Sequence, residues 1–241
     1  MILSYKSNKS VIIGSTNQSY NRYENILPYD DNIVELSDGK YINASWINNK
    51  EWIVTQGPLK KTCNTFWQMI NEYNCNLIIM LCDCIEICCE KCYKYFPDVY
   101  NRFELNNPFI FVDCVDERIE GNIIYRKISL NGRIINHIQY LGWIDHGVPT
   151  NKEDIHKLVN IIYVMKLDKP FVIHCSAGIG RSGCLSAIYK SKISGEKDVD
   201  KIIKELREER KGMVQTQVQY DFCKEFIINP IKPQGRGHQG F

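Results

Sequence analysis

The sequence has no apolar run of membrane-spanning length, no block of like charge, no internal repeat and no low-complexity linker. The first absence argues against a membrane-spanning helix, and the start "MILSYKSNKSVIIGST" lacks the long apolar stretch of a secretory signal. Ile2 stands where N-myristoylation requires glycine, and no cysteine sits close enough to the C-terminus for prenylation, so no lipid anchor is expected. Lys and Arg number 30 against 28 Asp and Glu, which leaves no overall field to draw in nucleic acid or an anionic membrane. Any anion recognition must therefore be local. Cysteine, by contrast, is plentiful at 11. Without a secretory signal these thiols read as reduced and intracellular, placing the protein in the cytoplasm.

With 241 residues, 44% of them hydrophobic, the chain can bury the core of one large domain. Residues 1–228 are expected to form that domain. "NPIKPQGRGHQGF", 229–241, is rich in Gly and Pro and is expected to be a short disordered tail. Strand-like runs are "YINASWI", "EWIVTQ", "NLIIMLC", "FIFVDCV", "NIIYRKISL" and "IINHIQYLGW", with a short apolar "FVI" after Pro170. Helical spacing covers 62–73, 152–166, 182–192, 199–210 and 216–228, with Gly212 as a candidate C-cap of the fourth. The mixture predicts an α/β (α+β) domain with a central mixed β-sheet flanked by helices.

The most informative stretch is "KPFVIHCSAGIGRSG", 169–183. It reads as a buried strand, a glycine-rich turn and the start of a helix, a geometry that aims backbone N–H groups and a helix N-terminus at one point. Gly178 and Gly180 let the backbone of Ser176, Ala177, Gly178, Ile179 and Gly180 curl around a tetrahedral anion. The Lys-Ser/Thr ending of a Walker loop is absent. In its place stands Arg181, whose planar fork suits two phosphoryl oxygens. Cys175 lies at the foot of this loop, where N–H donors, the helix, Arg181 and adjacent His174 favour a thiolate nucleophile. An isolated cysteine after an apolar run would read as a small buried hydrophobe, but that does not account for the glycines, the arginine and Ser182 at fixed offsets.

The pattern H-C-x5-R-[ST] resembles the signature loop of the protein tyrosine phosphatases. Five further segments resemble the phosphotyrosine-specific branch in its order: "NRYENILPYD", "YINASWI", "TQGPL" with "FWQMI", "WIDHGVP" and "MVQTQVQYDF". The resemblance implies the family's twisted mixed sheet, no cofactor and no metal, and phosphotyrosine-containing proteins as partners of a monomer. It assigns leaving-group protonation to Asp145, and water positioning to Gln215 with Gln219. Tyr23 would stack on the substrate ring, with Asn25 beside it for the peptide backbone. Lys91 would meet the closed acid loop, and Glu86 would orient Arg181 unless it is simply a surface charge. Ser182 can hydrogen-bond the departing Cys175 thiolate.

The departures are as specific as the matches. The chain reads Trp143-Ile144-Asp145 where the family has Trp-Pro-Asp, and Ile33 where an arginine is usual. The short stretch before "NRY" leads to the expectation that the family's N-terminal helical extension is largely absent. "CDCIEICCEKC", 82–92, crowds five thiols without paired C-x2-C spacing or a nearby histidine, so a metal site is not expected. The Ile/Asn/Lys-rich composition is similar to that of phosphatases carried by some insect viruses, which would put the protein in a host cytoplasm. A pseudophosphatase that binds phosphotyrosine proteins, and a dual-specificity or RNA 5′-phosphatase, are the alternatives to an active phosphotyrosine enzyme.

Overall fold

A computed structural model describes residues 7–106, 109–165 and 168–229. The chain opens with a short helix α1 (Ile12–Thr16), a hairpin β1 (Ala44–Ile47) and β2 (Trp52–Thr55), and helix α2 (Cys63–Glu72). Then come β3 (Leu77–Met80), a small hairpin β4 (Ile85–Glu86) and β5 (Cys89–Glu90), and the strands β6 (Arg102–Leu105), β7 (Ile110–Glu120), β8 (Ile123–Leu130) and β9 (Arg133–Tyr140). Helix α3 (Lys152–Val164), strand β10 (Phe171–His174) and helices α4 (Arg181–Ser194), α5 (Val199–Glu209) and α6 (Gln217–Ile228) complete the fold.

Eight strands form one mixed sheet in the order β1-β2-β10-β3-β9-β8-β7-β6. β10 runs parallel to both β2 and β3, and β3 parallel to β9, while the outer pairs are antiparallel. Both faces of the central strands are buried. Leu77 and Ile79 of β3 and Ile173 of β10 pack beneath α3, α4, α5 and α6, whereas Ile78, Met80 and Val172 pack beneath α2. This is the period-2 alternation of a pleated strand, with each fully buried Ile or Val contributing about 1.5–3 kcal/mol. The loop after β10 thus leaves the carboxyl end of the middle of a parallel block, where open α/β sheets characteristically bind ligands.

The expected mixed sheet flanked by helices is observed, and each of the six strand-like runs contains a strand. Three elements had no periodic signal: α1, the edge strand β6, which is exposed or half-buried throughout, and the β4–β5 hairpin, whose strands have two residues each. Gly212 is not a C-cap. Helix α5 ends at Glu209 with Arg210 in extended conformation, and Gly212 follows in a turn at φ +80°. Ile33 is nearly buried and bridges Ser45, so apolar packing stands where an arginine was expected. Residues 230–241 of the expected tail and Lys166 at the expected end of α3 lie outside the described residues. Among the described residues no helix is long and apolar enough to cross a membrane.

Candidate active site

The stretch 175–180 is a tight loop between β10 and α4. Gly178 has φ +70°, and a Cβ there would fall 2.2 Å from the Thr55 carbonyl oxygen, so no other residue fits. A Cβ on Gly180 would come within 3.1 Å of the side-chain amides of Gln215 and Gln219. The loop is braced from several sides. The Ser176 carbonyl accepts from Gly57 N at 2.8 Å, the Ile179 carbonyl from Gly183 N and Val214 N, and the Ser176 hydroxyl donates to the Lys91 carbonyl at 2.9 Å. Arg210, 1% exposed, donates to the Gly178 and Ala177 carbonyls and, on its other side, to Ser45 and Asn43. With its carbonyls drawn outward, the loop turns its N–H groups inward. The N–H of Gly178 meets Cys175 Sγ at 3.3 Å, and α4 begins at Arg181 directly behind.

Arg181 is 1% exposed and joins three parts of the site. Nη1 and Nη2 bind both Glu86 carboxylate oxygens at 2.6 and 3.0 Å, Nη1 reaches the Trp143 carbonyl at 3.1 Å, and Nη2 reaches Asp145 Oδ1 at 3.0 Å. Glu86 therefore orients Arg181. Its surface-charge reading is excluded by this bidentate contact. Asp145 Oδ2 accepts from Lys91 Nζ at 2.7 Å. Burial alone would raise the Asp145 pKa, but the Lys91 hydrogen bond and the Arg181 charge outweigh it and hold the carboxyl below its ordinary value.

The acid loop is tied to neighbouring segments as well. Trp143 packs edge-on against Tyr140 and Phe222 and donates from its indole to the Gly147 carbonyl. Thr216 Oγ1 donates to the His146 carbonyl, and Gln219 Nε2 donates to that of Gly147. Ile144 at the loop apex is 63% exposed. Tyr23 stands across the cleft with its hydroxyl 2.8 Å from Ser176 Oγ, and Asn25 is exposed at the rim. The resulting cleft of about 230 Å³ is lined by Tyr23, Asn25, Asp145, Cys175, Arg181 and Gln215, among others.

Two expectations need correction. His174 is fully buried and burial pulls its pKa down to about 4, so it is neutral at pH 7 and adds no positive charge beside Cys175. It is instead a packed ring, with Nδ1 near the Cys175 carbonyl and Nε2 bonded to Tyr95, whose hydroxyl also meets His137. Gln219 is occupied elsewhere: Oε1 accepts from the Gln215 and Thr216 N–H groups, closing a capping box at the start of α6, and Nε2 holds Gly147. Gln215 faces the cleft and Gln219 positions it from behind. Ser182 Oγ is buried and has no hydrogen-bond partner among the described residues. The crowded thiols do not share one environment: Cys82 and Cys92 are buried, Cys84 is half-buried, and Cys88 and Cys89 are exposed on the β4–β5 turn.

Arg210 was not anticipated, because "REERK" reads as a solvated run. Ile203 and Leu206 belong to the apolar stripe of α5, but Arg210 lies just past the helix end in extended conformation, so helical spacing does not mark it. Arg22 was also missed. It donates to the Gly57, Pro58 and Glu90 carbonyls and so ties the segment bearing Tyr23 to the floor of the site.

A thiol at the foot of the loop, an arginine held by a carboxylate and a second carboxylate on the opposite wall are gathered at one cleft on an α/β scaffold. The chain belongs to the protein-tyrosine phosphatase family, whose model matches residues 17–229. It is 35% identical over 232 residues to tyrosine-protein phosphatase non-receptor type 20 of Mus musculus, covering 90% of this chain and 54% of that protein. It is 42% identical over 205 residues to tyrosine-protein phosphatase 2 of Dictyostelium discoideum, covering 78% and 53% respectively. The chain thus spans about half the length of these relatives.

Proposed function

We propose that residues 1–228 are the catalytic domain of a protein-tyrosine phosphatase that hydrolyses phosphotyrosine in proteins through a phosphocysteine intermediate. The observation that carries this reading is the convergence of Cys175, Arg181, Asp145 and Tyr23 on one cleft. The Cys175 thiolate attacks phosphorus in line, an S–P bond forms and the P–O bond to the tyrosyl oxygen breaks. The loop N–H groups of Ser176, Ala177, Gly178, Ile179 and Gly180, with Arg181, hold the equatorial oxygens. Asp145 gives its proton to the leaving tyrosyl oxygen. Water positioned by Gln215 then attacks phosphorus, its proton passes to Asp145, the S–P bond breaks and phosphate leaves. The unpartnered Ser182 hydroxyl is available to hydrogen-bond the departing thiolate.

The closed acid loop poses a protonation problem that the substrate itself solves. In the free protein Arg181 and Lys91 keep Asp145 ionised. A phosphate dianion seated on Arg181 replaces Asp145 at Nη2 and places negative charge beside it, and both changes raise the carboxyl pKa towards the protonated form that an acid requires. Selectivity comes from reach. Cys175 is 3% exposed at the floor of a cleft whose height Tyr23 sets, so a long aryl phosphate reaches it and a phosphoserine does not.

We infer an intracellular monomer acting on phosphotyrosine-containing proteins, with neither nucleic acid nor membrane as partner. Turnover is measured on phosphotyrosyl peptides, phosphoseryl peptides and RNA 5′-phosphates. Hydrolysis of the first alone, abolished in Cys175→Ser, is expected. Equal release by wild type and Cys175→Ser would point to a pseudophosphatase, and turnover of the other substrates to the dual-specificity or RNA reading.

A further inference from the structure

Most exposed apolar side chains on the molecule are scattered, but Ile85, Ile87, Leu141 and Ile144 are 65%, 90%, 43% and 63% exposed and all line one groove of about 730 Å³. The β4–β5 hairpin forms one wall of this groove and the acid loop the other. Ile87 sits in the hairpin turn at φ +48°, followed by Cys88 at +58°. A two-residue turn of this hand favours Asn or Gly, and a β-branched residue there is strained. The chain thus holds an isoleucine outward at a position unfavourable for both its backbone and its exposure.

The groove adjoins the catalytic cleft, with the acid loop between them. Asp145 and His146 line both cavities, whereas Tyr23 and Cys175 line only the cleft. A peptide whose phosphotyrosine passes between Tyr23 and Asp145 therefore has the groove open to it on the far side of the acid loop. The rim charges restrict what can enter: Lys91 is already paired with Asp145 and Glu86 with Arg181, and Asp83 adds a carboxylate that disfavours an acidic side chain.

We propose that this groove is a specificity subsite for a branched aliphatic side chain (Leu, Ile or Val) lying a few residues from the phosphotyrosine of the substrate. The proposal rests on the phosphotyrosine reading and names the class of sequence that the site prefers. Binding buries the four exposed aliphatic side chains against the ligand and steadies both the hairpin that holds Arg181 and the loop that carries Asp145.

The test scans leucine through each position flanking phosphotyrosine in an otherwise alanine peptide, with wild type and with Ile87→Asn and Ile85→Thr. Asparagine relieves the turn, so Ile87→Asn should fold at least as well as wild type. One flanking position is expected to raise kcat/KM about 5–10-fold, the effect of burying most of an aliphatic side chain. Both variants should lose that gain and keep wild-type turnover of a small aryl phosphate. Glutamate at the same position should give no gain. Active wild type with a flat scan, or a leucine preference that survives both substitutions, overturns the subsite. A concentration-dependent dimer in sedimentation that Ile87→Asn abolishes would also overturn it, assigning the groove to a second copy. Absence of turnover on every phosphotyrosyl substrate would instead refute the phosphatase reading itself.

Discussion

The phosphate loop and the acid loop face each other across the same cleft but are held by different means. The phosphate loop is fixed through its backbone: Arg210, Gly57, Val214 and Ser176 all bond to main-chain or short side-chain atoms that take no part in the reaction. The acid loop has backbone ties through the Trp143, His146 and Gly147 carbonyls, and adds two bonds made by the Asp145 carboxylate itself, to Arg181 and Lys91. On the proposed mechanism, the group that closes the loop is thus the group that gives up a proton. One loop is pre-organised for the transition state, while the other must exchange its ties for substrate before it can act.

The largest effects should come from the fixed side of the cleft. Cys175→Ser replaces the proposed nucleophile while leaving the loop's backbone bonding in place, and turnover should fall on the order of 10⁴-fold or more with phosphopeptide binding retained. Arg181→Lys keeps the charge and loses the fork, so it should behave nearly as severely. Asp145→Ala comes next. Loss of a general acid should lower kcat by about 10²–10⁴-fold with little change in affinity, and stopped-flow phosphate release together with peptide binding separates the two. If Asp145→Ala lost binding as much as turnover, the acid loop would be as structural as the phosphate loop and the contrast would collapse.

Stability reverses the ranking. Arg210→Met removes four donors from a fully buried site and strands the Gly178 and Ala177 carbonyls, at a cost of roughly 3 kcal/mol in urea unfolding. Burial lowers the Arg210 pKa to about 10, which still leaves it charged at neutral pH, so its loss is not compensated by deprotonation. Substitutions in the acid loop should cost far less.

The pH dependence sharpens the comparison. In the folded protein Asp145 lies below its ordinary pKa, so its ion pairs stabilise the closed loop above the unfolded carboxylate range near ~4 and lose that effect as pH falls through the folded value. Lys91→Ala removes a hydrogen bond that lowers this pKa. The basic limb of the kcat–pH profile, where the acid loses its proton, should therefore move to higher pH. A limb that stayed in place or moved down would show that Lys91 does not tune the acid.

How much of this was legible follows from where each interaction lies along the chain. The phosphate loop is a local feature of strand, turn and helix, so "HCSAGIGRSG" specifies it almost completely. Asp145, Tyr23 and Gln215 came through family resemblance, because nothing in "WIDHGVP" by itself distinguishes an acid from a turn residue. The braces were hardest to see. Arg210 acts 32 residues from Gly178, and Arg22 acts 35 residues from Gly57, and neither pairing leaves a periodic trace. His174 was misjudged because burial, which decides its charge, is a tertiary property.

Ile144 is where the two loops can be compared most finely, since a single residue distinguishes this acid loop from the family's Trp-Pro-Asp. Its side chain is largely in solvent, and its carbonyl accepts from Gly147 N, a bond proline would keep. Trp143, the residue before it, is extended enough to bridge Pro149, as a residue preceding proline should be. Ile144→Pro should therefore fit the closed loop and narrow the open ensemble, by about 0.4–1 kcal/mol. On the proposed mechanism a phosphate that displaces Asp145 from Arg181 must be followed by re-closure of the loop over it, so the gain should appear as a roughly 2–5-fold rise in kcat with KM nearly unchanged. A rise confined to affinity would mean that the loop closes before binding. Identical kinetics would mean that Asp145's bonds to Arg181 and Lys91, and not the backbone freedom at residue 144, set the closure equilibrium.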